Sequence, residues 1–120
     1  MKSEDLAAAY FEVWMTTDDD RRHELASQVF TESAVHYAVP ASVEFRGIEA
    51  IESNIKRVNT ENIQGNGLSF TSGDVTPNHN TLQLEWSVET PSGQTVATGR
   101  DFLLINDDGR VQALYMFNGV

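Results

Sequence analysis

The period of the apolar residues changes midway along the chain, and this change constrains the fold more than any other feature of the sequence. Leu6, Ala9, Tyr10, Val13 and Trp14 fall at i, i+3, i+4, i+7 and i+8, the spacing of an amphipathic helix. Ser3 is placed to cap it, and Glu4 and Asp5 follow in the first turn, where the helix dipole favours negative charge. The helix is expected to end near Thr16 to Asp20, because three consecutive aspartates repel one another and prefer turns to helix interiors. A second helix is expected with Leu25, Ala26, Val29 and Phe30 inward and Arg21, Arg22, His23 and Glu24 facing water. A third takes Ile48, Ile51, Ile55 and Val58, with Glu52 and Lys56 paired on its wet side.

Strand patterns dominate the remainder. Ser33 to Val39 alternates and stops at Pro40, so it reads as a short strand with Ala34, His36 and Ala38 on one face and Val35, Tyr37 and Val39 on the other. Asn59 to Gly67 reads as a loop, Leu68 to Val75 as a strand, and Thr76 to Asn80 as a turn. Leu82, Leu84, Trp86 and Val88 then alternate with polar neighbours. Thr90 to Gln94 turns the chain into a strand over Thr95 to Ile105, and Asn106 to Gly109 turns it again into Val111 to Asn118. Helices first and an antiparallel meander afterwards define the α+β class, and 120 residues suffice for a single domain spanning 1–120.

Charge and cysteine content exclude several functions. With 18 Asp and Glu against 8 Lys and Arg the net charge is −10, which repels nucleic acid and acidic lipid surfaces. Cysteine is absent, so thiol nucleophiles and thiolate metal sites are excluded. The three histidines lack metal-ligand spacing, and neither a Walker loop nor a dinucleotide fingerprint occurs, so no metal or cofactor is expected. No apolar run approaches the roughly 18 residues of a membrane span, and no basic stretch leads into an apolar segment at the N-terminus; a cytoplasmic location is expected.

Local sequences add a resemblance. The opening helix LAAAYFEVW, the segment FTESAVHY before a proline, the phrase FRGIEAI and the closing GRDFLLINDDGRVQALYMF occur in order over essentially the whole chain. In these the protein resembles the nuclear-transport-factor-2-like (cystatin-like) superfamily, in its SnoaL-like polyketide-cyclase and ketosteroid-isomerase branch. The resemblance implies a cone-shaped, curved mixed or antiparallel sheet wrapped around a long N-terminal helix, with two further helices and a largely apolar pocket. It also implies a homodimer through the long C-terminal strands, and Phe102 and Leu104 on one strand face with Leu103 and Ile105 on the other suggest independently that both faces need cover.

Three residues are candidates for chemistry. Asp101 shares a strand face with Ala97, Gly99, Leu103 and Ile105, so its carboxyl stands in an apolar row where burial raises its pKa. The resemblance places it where the isomerases hold an oxyanion-stabilising acid, and places Tyr10 where they project a phenol. Their general-base carboxylate would fall near Ala38, which has none. His36, with Ala34 and Ala38 leaving space around it, is the substitute base. Each also has a structural reading: Asp101 as a hydrogen-bonding core group, Tyr10 as part of the helix stripe, His36 bonded to a backbone carbonyl. Trp14, Phe45, Phe70, Trp86, Tyr115 and Phe117 are the expected aromatic walls, suited to an apolar, oxygen-bearing small molecule. Two functions follow, cofactor-independent proton transfer beside a carbonyl, or a non-catalytic ligand-binding or dimerisation module of the same fold.

Overall fold

The structure, a computed structural model, describes residues 2–40 and 42–119. Helix α1 (Ser3–Met15) leads through a short turn into α2 (Asp19–Val29), which runs directly into strand β1 (Phe30–Tyr37). Strand β2 (Glu44–Arg46) and helix α3 (Ile48–Val58) follow, and α3 continues into a π-helical turn over Asn59–Gln64. Four strands complete the chain: β3 (Ser69–Asn78), β4 (Thr81–Glu89), β5 (Thr95–Ile105) and β6 (Val111–Asn118).

One sheet contains all six strands in the order β2-β1-β6-β5-β4-β3. Only the β1–β6 pairing is parallel among the described residues, so the sheet is mixed and the last four strands form the meander expected from their alternation. Register shifts between Phe30 and Val35, Ser72 and Val75, Val88 and Glu89, and Leu104 and Ile105 interrupt the ladders. Such bulges bend strands, and here they help curl the sheet around α1. Leu6, Tyr10, Val13 and Trp14 form the buried stripe of that helix and meet Leu84, Leu103 and Leu114 of the sheet, with Ile51 and Ile55 of α3 closing one side.

The structure corrects several local expectations. Ser3 lies inside α1, whose N-cap position is Lys2 without a side-chain hydrogen bond. Helix α1 ends at Met15, ahead of the aspartate run, and the run instead starts the next helix, since the Asp18 side chain accepts from the Arg21 amide at 2.8 Å. Arg22 is buried rather than facing water, because its guanidinium donates to the Thr16 carbonyl at the end of α1 and pairs with Asp19 at 2.7 Å. Phe30 opens β1 instead of closing α2. The expected loop after α3 is instead partly π-helical, and its first residue explains why: fully buried Asn59 donates to the Trp14 carbonyl at 2.8 Å and accepts from Gln64 at 2.9 Å. That bond ties the end of α1 to the end of α3.

Candidate active site

Helix α1, β5 and β4 converge on one carboxylate. Tyr10 and Trp14 stand one turn apart on α1, so both side chains point into the concave side of the sheet. Asp101 projects from β5 toward them, and Tyr10 donates to its Oδ2 at 2.5 Å. Trp86 of β4 donates its indole Nε1–H to Oδ1 at 3.0 Å. Gly99 makes that second bond possible. It pairs with Trp86 across the ladder, and a Cβ there would overlap the indole ring and stand 2.5 Å from the Phe117 carbonyl oxygen. Without a side chain at 99 the indole packs against Gly99 and reaches Asp101 two residues along.

Burial governs the ionisation of this group. Asp101 is 3% exposed, and loss of hydration raises its pKa from 3.8 to about 6, although the bonds from Tyr10 and Trp86 favour the charged form and oppose the rise. At neutral pH the carboxylate is ionised, and the short phenol contact is that of a charge-assisted hydrogen bond. Tyr10 is pushed well above its ordinary value, first by burial and then by the charge and hydrogen bond of Asp101. The Trp14 indole opposes that shift weakly; its N–H makes no hydrogen bond among the described residues.

His36 projects from β1 into the same cavity. Its ring meets the edge of Trp14 at a centroid distance of 5.9 Å and tilts against Phe45 at 5.7 Å. Burial lowers its pKa to about 4, so the imidazole is neutral at pH 7. Both ring nitrogens are buried and make no hydrogen bond among the described residues. A buried polar group without a protein partner is costly, so His36 is a group that a bound molecule in the cavity could satisfy. His36 pairs with Leu114, Leu114 with Leu103, and Asp101 with Met116, so the two residues are two strands apart and offset by two positions. From ordinary strand spacings their Cα atoms are about 12 Å apart, so both line the cavity without bonding to each other.

The cavity has a volume of about 410 Å³. Of the expected aromatic walls, Trp14, Phe45, Phe70 and Trp86 line it. Tyr115 and Phe117 do not. They lie on the outer face of β6, 41% and 49% exposed, because alternation turns Leu114 and Met116 inward. Ala38 also lines the cavity, so a methyl group occupies the place near which the isomerase-like pattern would set its carboxylate. Sequence reading misses Asn54, Arg57 and Asn62, which reach the cavity from α3 and the π-helical turn. The available signal is Asn54, a polar residue inside the stripe Ile51, Ile55 and Val58.

The remaining titratable clusters have local explanations. His23 is bonded to Glu52 at 2.8 Å on the surface, His79 sits in the β3–β4 turn, and Asp19 pairs with Arg22 and Lys56. No group of three or more metal-ligating side chains occurs among the described residues. No helix among them is long and apolar enough to cross a membrane.

Comparison with solved structures shows the nuclear-transport-factor-2-like, cystatin-like fold. A protein of the SnoaL-like family from Agrobacterium tumefaciens, provisionally named an isomerase, superposes with a TM-score of 0.86 at 23% identity, covering 98% of this chain and 97% of that one. A nuclear-transport-factor-2-like protein of unknown function from Exiguobacterium gives 0.74 at 21% identity over 95% and 98%. A provisionally named polyketide cyclase from Sinorhizobium meliloti gives 0.71 at 18% identity over 97% and 99%. No protein-family model matches the sequence, and no curated protein does.

Proposed function

We propose that the cavity binds an apolar small molecule bearing a carbonyl and transfers a proton at the carbon beside it, as isomerases and cyclases do. The observation that carries this reading is a carboxylate in an apolar cavity with a pKa of about 6. A general base is most effective when its pKa lies near the working pH. Asp101 carries one protein donor on each oxygen, and a carboxylate oxygen can accept two, so a lone pair is left for a substrate proton. The sequence alone casts His36 as base and Asp101 with Tyr10 as donors, and the environment of each group favours the reverse. An imidazole with a pKa of about 4 is a weak base, and the phenol proton is already engaged by Asp101. A neutral imidazole N–H is instead suited to stabilise a developing enolate oxygen. It need give up no protein partner among the described residues to do so.

In the proposed step the C–H bond beside the carbonyl breaks. Its proton passes to Asp101, its electron pair forms the enolate double bond, and the carbonyl π pair moves onto oxygen opposite His36. Return of the proton at the same or a conjugated carbon completes exchange or isomerisation. The names of the Agrobacterium and Sinorhizobium proteins of this fold support the class of reaction. The test is deuterium incorporation into cyclic ketones in D₂O, followed by mass spectrometry. The protein is expected to accelerate exchange, and Asp101→Asn to lose about 10²- to 10⁴-fold of that acceleration. Exchange no faster than in buffer would overturn the catalytic reading.

One observation favours a second reading, a non-catalytic binding module: both Asp101 oxygens are already held by protein donors. It predicts ligand binding without exchange. Under either reading a second copy of the chain covers the outer face of β5 and β6. Phe102, Tyr115 and Phe117 are 37%, 41% and 49% exposed there, and the buried Arg100 Nε on the same face makes no hydrogen bond among the described residues.

A further inference from the structure

The cavity changes character from its depth to its mouth. Tyr10, His36 and Asp101 at the bottom are 1%, 1% and 3% exposed, whereas Val39 and Val96 on the rim are 37% and 52% exposed. Arg57 also lies on the wet side, its side chain 57% exposed. Among the described residues lining the cavity it is the only one with a fixed positive charge, in a chain with 8 basic against 18 acidic side chains.

Its placement is built from inside the fold. Asn54, 7% exposed on the inward face of α3, accepts from Arg57 Nη2 at 2.8 Å and holds the guanidinium against the cavity wall. Glu61, one turn later, pairs with Nη1 at 3.1 Å from the solvent side. A guanidinium has five N–H donors, and these two bonds leave others for a ligand. Asn62 lines the cavity as well.

We infer that the ligand carries a carboxylate at the end remote from its carbonyl, and that Arg57 takes this group at the mouth. The inference rests on the cavity being the ligand site proposed above. It names the substrate class more closely, as apolar keto acids. It also supplies an orientation rule. The ionised Asp101 at the bottom repels an anion and Arg57 at the mouth attracts one, so the molecule enters carbonyl first, with the carbon beside the carbonyl delivered to the base. Two ends of opposite sign, separated by aromatic walls, thus select both the ligand and its direction.

The test uses matched pairs, 6-acetyl-2-naphthoic acid and its methyl ester together with the single-ring 4-acetylbenzoic acid and its methyl ester. Both tryptophans of the chain, Trp14 and Trp86, line the cavity, so their indole N–H resonances report occupancy directly. The acids are expected to bind about tenfold more tightly than the esters, the usual order for a charged hydrogen bond. Arg57→Gln should abolish the preference of acid over ester, and Arg57→Lys should restore part of it. Equal binding of acid and ester, or a preference that survives Arg57→Gln, overturns the carboxylate inference and leaves the cavity reading intact. If neither acids nor esters shift the indole resonances, the reading of the cavity as a ligand site falls with it.

Discussion

At the scale of single residues, Asp101 and His36 are buried titratable groups displaced in opposite directions, and their effects on stability oppose each other. Folded Asp101 keeps its proton up to about pH 6 while the unfolded residue releases it near 3.8, so its contribution to stability falls as pH rises through that window. Folded His36 loses its proton at about 4 while the unfolded residue holds one to 6.5, so its contribution rises over nearly the same range. Each amounts to roughly 3 kcal/mol, and in the native protein they largely cancel. Asp101→Asn should therefore lose stability on acidification from about pH 7 to about pH 4.5 much more steeply than the native chain, and His36→Phe should lose less or gain. Urea midpoints at the two pH values measure this, and two variants that track the native protein would refute it. Sequence alternation alone places Asp101 in an apolar row and His36 between two alanines. It does not reveal which is the stronger base, because that depends on how far folding removes each from water.

At the scale of elements, Gly99 couples strand packing to the site. Gly99→Ala should cost about 1 to 3 kcal/mol, since overpacking a close contact forces neighbours to move. It should also displace Trp86 from Asp101 and so raise the Asp101 pKa further, because a donor to the carboxylate is lost. Thermal unfolding together with the pH midpoint of Asp101 tests both effects, and an unchanged midpoint in a destabilised variant would separate packing from the site. The Trp86–Asp101 bond is not legible from either strand alone, because it depends on the β4–β5 register. Tyr115 and Phe117 show the complementary limit: their aromatic character suggests a pocket wall, but which face of β6 points inward is fixed by pairing with β5 and β1. The π-helical turn escapes sequence reading for a related reason. Asn59, Asn62 and Asn66 suit loops, and the buried bond from Asn59 to Trp14 is a tertiary contact.

At the scale of the whole molecule, the change of apolar period is enough to give the α+β class, and the local motifs are enough to point to the cone-shaped fold that the solved structures share. What chain order does not show is that the strand called β1 pairs in parallel with the last strand, which brings His36 to the cavity. The outer sheet face carries its own prediction. Tyr37 stacks on Tyr115 at 4.8 Å and Phe102 meets Phe117 edge-on at 5.5 Å, forming an exposed aromatic surface across three strands. The double substitution Phe102→Glu and Phe117→Glu should convert a dimer to a folded monomer in analytical ultracentrifugation, and a native chain already monomeric at tens of micromolar would contradict the interface.

The account stands on an acid within the cavity that titrates near neutrality. Its most direct measurement is an NMR pH titration of the Asp101 side-chain carboxyl carbon, with the Trp86 indole N–H followed in the same samples. The account predicts a shared midpoint at about pH 6 that disappears from the Trp86 signal in Asp101→Asn. A carboxyl midpoint near the ordinary aspartate value of about 4, with an indole signal indifferent to pH, would contradict it.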